Sequence, residues 1–196
     1  MGLTGGVASG KSAALEALGR LGAATISADR IVHDLLDSEP LISSLRERWG
    51  EDIESGGVVD RAAVGRRVFT DPVELAWLEE QVHPLVQSEI ASWFSTLPAD
   101  CPVAVVEVPL LFEGEMADRF DVTVAVTADE PLRRERAESR GQVGLEGREG
   151  RQLSQAEKAN RADRVIRNDG TTSDLEKSLR EMLIELGAEL PTDPPV

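Results

Sequence analysis

Gly5-Gly6-Val7-Ala8-Ser9-Gly10-Lys11-Ser12 brings together the residue types that hold a polyphosphate, at the spacing G-x-x-x-x-G-K-[ST]. Glycines let consecutive backbone N–H groups curl around an anion, and a helix starting at the loop's end aims its positive pole at the same spot. Lys11 can then reach β- and γ-phosphates, and the Ser12 hydroxyl can ligate Mg²⁺. The flanks agree. Met1-Gly2-Leu3-Thr4 leads in as a short apolar strand, and Ser12-Ala13-Ala14-Leu15-Glu16-Ala17-Leu18 leads out with strong helix formers. A plain glycine-rich turn before a helix is the bland alternative; strand, loop and helix in that order favour the phosphate site. The stretch predicts binding of a nucleoside triphosphate.

Other residues stand where chemistry would need them. Asp29 lies just past an apolar run at residues 23–27, where an α/β fold places its second reactive group. It suits the orientation or deprotonation of an attacking hydroxyl, and it equally suits an N-cap. Glu107, at the end of a buried run, is costly unless paired or near a metal. An ion pair with Arg136 or Lys11 and a water-mediated contact to Mg²⁺ are equal readings. Arg133, Arg134, Arg136, Arg140, Arg148, Arg151 and Lys158 crowd an otherwise acidic chain of net charge −15. They predict a lid that brings guanidinium groups onto phosphates, Arg140 and Arg148 foremost. Ion pairs with Glu130, Glu135 and Glu138 along a solvated helix are the alternative. Asn168 follows the last apolar run and is a candidate adenine contact. Trp49, Trp77 and Trp93 read as core or hinge aromatics.

Positioning these groups requires a scaffold. Apolar runs at 1–4, 23–27, 102–108, 120–126 and 164–167 alternate with helical stretches, which predicts an α/β fold with a five-stranded parallel sheet. Residues 29–97 contain no strand-like run. Helices are expected at 31–36, 40–49, 61–69 and 71–93, with a turn at Gly56-Gly57, caps at Asp60 or Asp71, and an interruption at His83-Pro84. The resulting division is a core of residues 1–28, 98–129 and 160–186, a helical substrate-binding insertion at 29–97, a lid at 130–159 and a flexible tail at 187–196. The negative charge opposes general nucleic-acid binding. A single cysteine, Cys101, excludes an internal disulfide and fits a reducing compartment. The run at 103–112 is broken by Glu107 and Pro109, so no membrane span is expected, and the protein reads as cytoplasmic. Composition does not determine an oligomeric state.

The chain resembles the dephospho-coenzyme A kinase family from Gly2 to about Gly170. The matching phrases are Gly2 to Gly6, Ala28-Asp29, Asp60-Arg61, His83-Pro84, Val108 to Glu113, Arg133 and Arg136 ahead of Arg140, Arg148 with Gln152-Leu153-Ser154, Ala162-Asp163, and Val165-Ile166 with Asn168. The resemblance implies a P-loop NTPase core, a helical CoA-receiving domain and an arginine-rich lid. It also implies transfer of the γ-phosphoryl of ATP to the 3′-hydroxyl of dephospho-CoA, with Mg²⁺. Carried onto this chain, Gly6, Val7, Ala8, Ser9, Gly10, Lys11, Ser12, Ala13, Arg148 and Asn168 would hold ATP. Asp29, Arg61, His83, Pro109 and Leu110 would receive the acceptor. Lys11, Asp29 and Arg140 would act in catalysis, and Ser12 would meet Mg²⁺, with Glu107 reaching it through water. This chain departs from the family pattern at Ser27, Ala13 and Glu107, and in the three glycines of 141–147. A nucleoside or nucleotide kinase shares the core and the reaction class. A P-loop regulatory switch is the remaining alternative, although no N-K-x-D guanine-reading pattern is present.

Overall fold

Short apolar runs that are buried on both faces pair in parallel, because only a helix-covered sheet hides both sides. The structure is a computed structural model and describes residues 1–55, 58–139 and 152–190. In chain order the elements are β1 (Gly2–Gly5), α1 (Lys11–Arg20), β2 (Ala24–Ser27), α2 (Ala28–Leu35), α3 (Glu39–Trp49), β3 (Glu54–Ser55), β4 (Val58–Val59), α4 (Arg61–Thr70) and α5 (Pro72–Thr96). They continue with β5 (Ala104–Glu107), β6 (Thr123–Thr127), α6 (Glu130–Ser139), α7 (Gln155–Arg161), β7 (Arg164–Arg167) and α8 (Thr172–Glu185). The chain forms two compact units: Met1–Ser27 with the chain from Leu97 onward, and Ala28–Thr96.

In the first unit the sheet order is β2-β5-β1-β6-β7, with every pair parallel. All five expected strands form, their ends shifted by a few residues. Leu3, Val105, Val124 and Val126 are fully buried and pack with Ala14, Ala17 and Leu18 of α1 and Leu175, Leu179 and Leu183 of α8. Each such leucine or valine contributes roughly 1.5–3 kcal/mol by leaving water. α8 begins in a capping box, in which the Thr171 hydroxyl accepts from the Asp174 amide and Asp174 accepts from Thr171. At the sheet edge, β7 buries Ile166 alone and exposes Arg164 and Arg167, charges that discourage further strand pairing. From β1 the chain crosses to β2 on one side, and from β5 it crosses back to β6 on the other. The carboxyl ends of β1 and β5 therefore flank the crevice where ligands of such sheets gather. Ala188 and Leu190, in the stretch expected to be a flexible tail, pack against this core. Residues 191–196 lie outside the described residues.

The second unit is helical. Asp60 Oδ1 accepts from the amides of Ala62 at 2.9 Å and Ala63 at 3.1 Å and so caps α4. Asp71 Oδ1 accepts from Val73 at 2.8 Å. One expectation needs correction. Residues 29–97 do contain strands: β3 and β4 pair antiparallel, Glu54 with Val59 and Ser55 with Val58. Two residues per strand are too few to show a period-two pattern in sequence. The helix expected at 71–93 forms as α5, which runs 25 residues with Pro84 inside it. Val82 and Val86 on the same helix are buried, and α5 packs on α2 and α4, which compensates for the hydrogen bond that proline removes. Gly56 and Gly57 lie outside the described residues.

Candidate active site

The phosphate loop joins β1 to α1 at the centre of the sheet. Gly10 sits at φ 95°, in the left-handed region, and a Cβ there would collide with the Asn168 side chain. A Cβ at Gly5 would collide with the Val126 carbonyl on β6. Both glycines are therefore demanded by close approach. Ala8 also takes the left-handed region, at φ 58°, without the freedom of glycine. Lys11 Nζ donates to the carbonyls of Gly5 at 3.1 Å and Gly6 at 3.0 Å, so the lysine arches back over the loop. Ser12 is exposed at the first turn of α1, next to Lys11 and Ala13. The Ser9 hydroxyl is buried and has no hydrogen-bond partner among the described residues.

Residues distant in sequence grip this loop from outside. Asn168 Nδ2 donates to the Ser9 carbonyl at 2.9 Å, and the Asn168 amide donates to Thr127 at 2.7 Å. Arg136 Nη2 donates to the Asn168 carbonyl at 3.0 Å. Arg133 Nε donates to the Val7 carbonyl at 2.9 Å, and its Nη1 donates to Glu130 at 2.9 Å. Gln155 pairs both amide atoms with the backbone of Ala128, each at 2.9 Å. Four basic residues that the sequence assigned to a lid over phosphates, Arg133, Arg134, Arg136 and Lys158, are thus engaged by protein groups. Arg133 is buried against the loop, Arg134 pairs with Glu130 on the surface, and Lys158 is fully buried. Asn168, the candidate adenine contact, donates one side-chain N–H to the Ser9 carbonyl. Arg140, Arg148 and Arg151 lie outside the described residues, as do Gly141, Gly144 and Gly147.

At the end of β5, Glu107 is 6% exposed and sits in register between Leu3 of β1 and Ser27 of β2. The Pro109 carbonyl accepts from the Thr4 hydroxyl at 3.2 Å and from the Lys158 ammonium. Lys158 also pairs with Glu113 at 3.0 Å, and the same carboxylate oxygen accepts from the Leu153 amide at 2.8 Å. The other oxygen, Glu113 Oε2, is buried with no partner among the described residues. Pro109 is held in place from below while Leu110 remains exposed.

In the second unit, Asp29 occupies the first turn of α2, two residues past the end of β2. Arg61 opens α4 and binds back to α2. Its guanidinium contacts His33 Nε2 and the Asp37 carboxylate, and Nη2 donates to the His33 carbonyl at 3.2 Å. His33 and Asp37 escaped the sequence reading. Asp29 and His33 are spaced i,i+4 and share a helical face, and that spacing was the available signal. His83 and Pro84 are exposed on α5. Glu74 accepts from Arg48 at 3.1 and 2.9 Å and from Trp49 Nε1 at 2.6 Å. The Arg48 hydrogen bond, then that of Trp49, holds the Glu74 carboxyl below its usual range.

Among the described residues no group of three or more His, Cys, Asp or Glu could hold a metal ion. One hydroxyl, Ser12, and one buried carboxylate, Glu107, suit an ion carried mainly by nucleotide phosphates and water, which is how Mg²⁺ binds in phosphotransfer sites. No helix among the described residues is long and apolar enough to cross a membrane.

A parallel sheet of this order, with a glycine-rich loop and helix after its central strand, defines a P-loop kinase fold. The chain belongs to the dephospho-CoA kinase family: the family's sequence model matches residues 1–174. Its activity is phosphoryl transfer to dephospho-CoA. A dephospho-CoA kinase of Protochlamydia amoebophila is 36% identical over 191 residues, covering 94% of each chain. One from a Synechococcus strain is 38% identical over 143 residues, 71% of this chain and 69% of its own. Among solved structures, TT1252 of Thermus thermophilus superimposes with a TM-score of 0.82 at 34% identity, over 94% of this chain and 96% of its own. The Campylobacter jejuni dephospho-CoA kinase gives 0.69 at 26% identity, over 94% and 95%. A shikimate kinase at 15% identity and 0.53 shares the fold.

Proposed function

We propose that this chain moves the γ-phosphoryl of ATP to the 3′-hydroxyl of dephospho-CoA with the following division of labour. Backbone N–H groups from Gly6 to Ala13 hold the phosphates, and Lys11 leaves the loop carbonyls to neutralise charge on the group in flight. Asp29 orients the acceptor hydroxyl and accepts its proton as the oxygen bonds to phosphorus and ADP departs. Arg61, His83, Pro109 and Leu110 receive the acceptor. Arg140, one residue past the end of α6, stabilises the transferring group, and Arg148 and Asn168 border ATP. Mg²⁺, when bound, supplies charge neutralisation on the phosphates, with Ser12 as its protein ligand and Glu107 holding one of its waters. The free thiol of Cys101 supports a cytoplasmic site of action. The observation that carries the reading is the loop itself, with Lys11 arched over it and its carbonyls turned onto protein donors.

The test is a coupled assay with ATP, Mg²⁺ and dephospho-CoA, run beside a panel of nucleosides and nucleotides. Asp29→Asn keeps size and capping ability, so it should retain ATP binding and lose turnover about a hundredfold or more. A folded Asp29→Asn enzyme with wild-type turnover would remove Asp29 from the chemistry. Faster transfer to a nucleoside than to dephospho-CoA would replace the acceptor.

A further inference from the structure

A peptide unit is planar and trans, so its C=O and N–H point in opposite directions. Turning one carbonyl outward therefore turns the next residue's N–H inward. The phosphate loop needs its N–H groups to converge on one anion, and a glycine-rich loop does not hold that arrangement by itself, because such residues sample many conformations. Two of its peptide units are pinned from outside. Val7 O is held by Arg133 Nε at 2.9 Å, which sets the direction of the Ala8 N–H. Ser9 O is held by Asn168 Nδ2 at 2.9 Å, which sets the Gly10 N–H. The pinning groups are themselves fixed. Arg133 is 6% exposed and tied to Glu130, while Asn168 is 7% exposed and tied to Thr127 and Arg136. The peptide pinned by Arg133 enters Ala8, the non-glycine residue of the loop at positive φ, where an unsupported chain would be most inclined to flip.

We propose that Arg133 is a positioning residue of the phosphate site: through the Val7 carbonyl it aims the Ala8 N–H at bound phosphate, and Asn168 does the same for Gly10. Neither side chain needs to touch nucleotide to do this. The inference rests on the loop binding ATP. It assigns Arg133 to the wall of the anion site, in place of the closing arginines to which its sequence neighbourhood assigns it.

The consequence is a loss that depends on the length of the phosphate chain. Calorimetric titration should compare adenosine, AMP, ADP and ATP on the wild type and on Arg133→Met. ADP and ATP should weaken about tenfold, as expected for one hydrogen bond to a charged group, while adenosine changes by less than twofold. The Michaelis constant for dephospho-CoA should stay within twofold. Arg133→Lys, which keeps a donor, should recover part of the loss. Arg134→Ala, next door and paired only on the surface, should behave as wild type. Asn168→Leu gives a second route if Arg133→Met does not fold, and should show the same dependence. Equal weakening of adenosine and ATP, or a folded Arg133→Met with wild-type ADP and ATP affinity, would overturn the inference. A wild-type chain that binds no ATP would instead overturn the reading of the loop.

Discussion

The phosphate loop and the helical unit solve opposite problems with the same residue types. Around the loop, charged side chains are buried and face backbone carbonyls: Arg133 on Val7 and Lys158 on Pro109. In the helical unit, Arg48 and Arg67 lie at the surface and Arg61 is half-buried, and all three reach carboxylates or rings. The Arg48 guanidinium lies 5.4 Å from the Trp77 ring centroid while gripping Glu74. A buried cation that satisfies a carbonyl fixes one conformation, because every alternative leaves a charge without partners. A surface cation costs little to rearrange. The contrast sets a loop gripped by buried charges against a helical unit whose ion pairs stand in or near solvent.

Lys11→Ala makes the largest break in that comparison. It removes charge stabilisation from the transferring group and no packing, so turnover should fall about a hundredfold or more at saturating ATP, with an unchanged melting curve. A folded variant with normal turnover would dissolve the assignment of the loop as the rigid, chemical side. Lys158→Met comes next. It leaves the Glu113 carboxylate without its cation and should cost about 3 kcal/mol or more of stability, while Arg134→Ala, from an exposed pair, should cost less than about 1 kcal/mol. Lys158→Met with Glu113→Leu should recover most of the loss. Denaturant titrations of the three proteins decide it, and equal costs for the two single variants would erase the distinction between buried and surface pairs.

The smallest effect is a pH dependence that separates the units. Glu74 is held below its usual range by Arg48 and then Trp49. Asp163 is held below its range by the Thr123 hydroxyl and then the Thr123 amide. A depressed carboxyl stabilises the fold above its unfolded pKa, about 4, and that stability is lost as pH falls through the lower folded value. Both units should therefore weaken below about pH 4 and be insensitive to pH just above it. Trp49, Trp77 and Trp93 all lie between residues 28 and 96, so tryptophan emission reports on the helical unit, while circular dichroism reports on both. Glu74→Gln should flatten the acid response seen by emission, and Asp163→Asn only that seen by circular dichroism. Identical changes from both variants would mean that the two units titrate as one.

The difference between what was legible and what was not follows the range of the interactions. The phosphate loop was legible because its ligand groups are the backbone of contiguous residues, and the glycines that permit the turn stand beside the lysine that completes it. The five strands were legible because burial on both faces leaves an unbroken apolar run. Asp60 and Asp71 were legible as caps because a cap acts within three residues. The helix through His83-Pro84 was legible because the apolar spacing continues across it, and Val82 and Val86 on either side are buried.

The sequence by itself determined the glycine-rich loop, the parallel sheet and the family. Tertiary structure alone decided which basic residues are held by backbone carbonyls distant in sequence. Val7 and Arg133 are 126 positions apart, Ser9 and Asn168 are 159, and Pro109 and Lys158 are 49. Whether an arginine on α6 faces solvent or the loop depends on how the helix is rotated against the sheet. On that helix Ala137 and Arg133 are the residues turned inward and buried, and no run of neighbouring letters records that rotation.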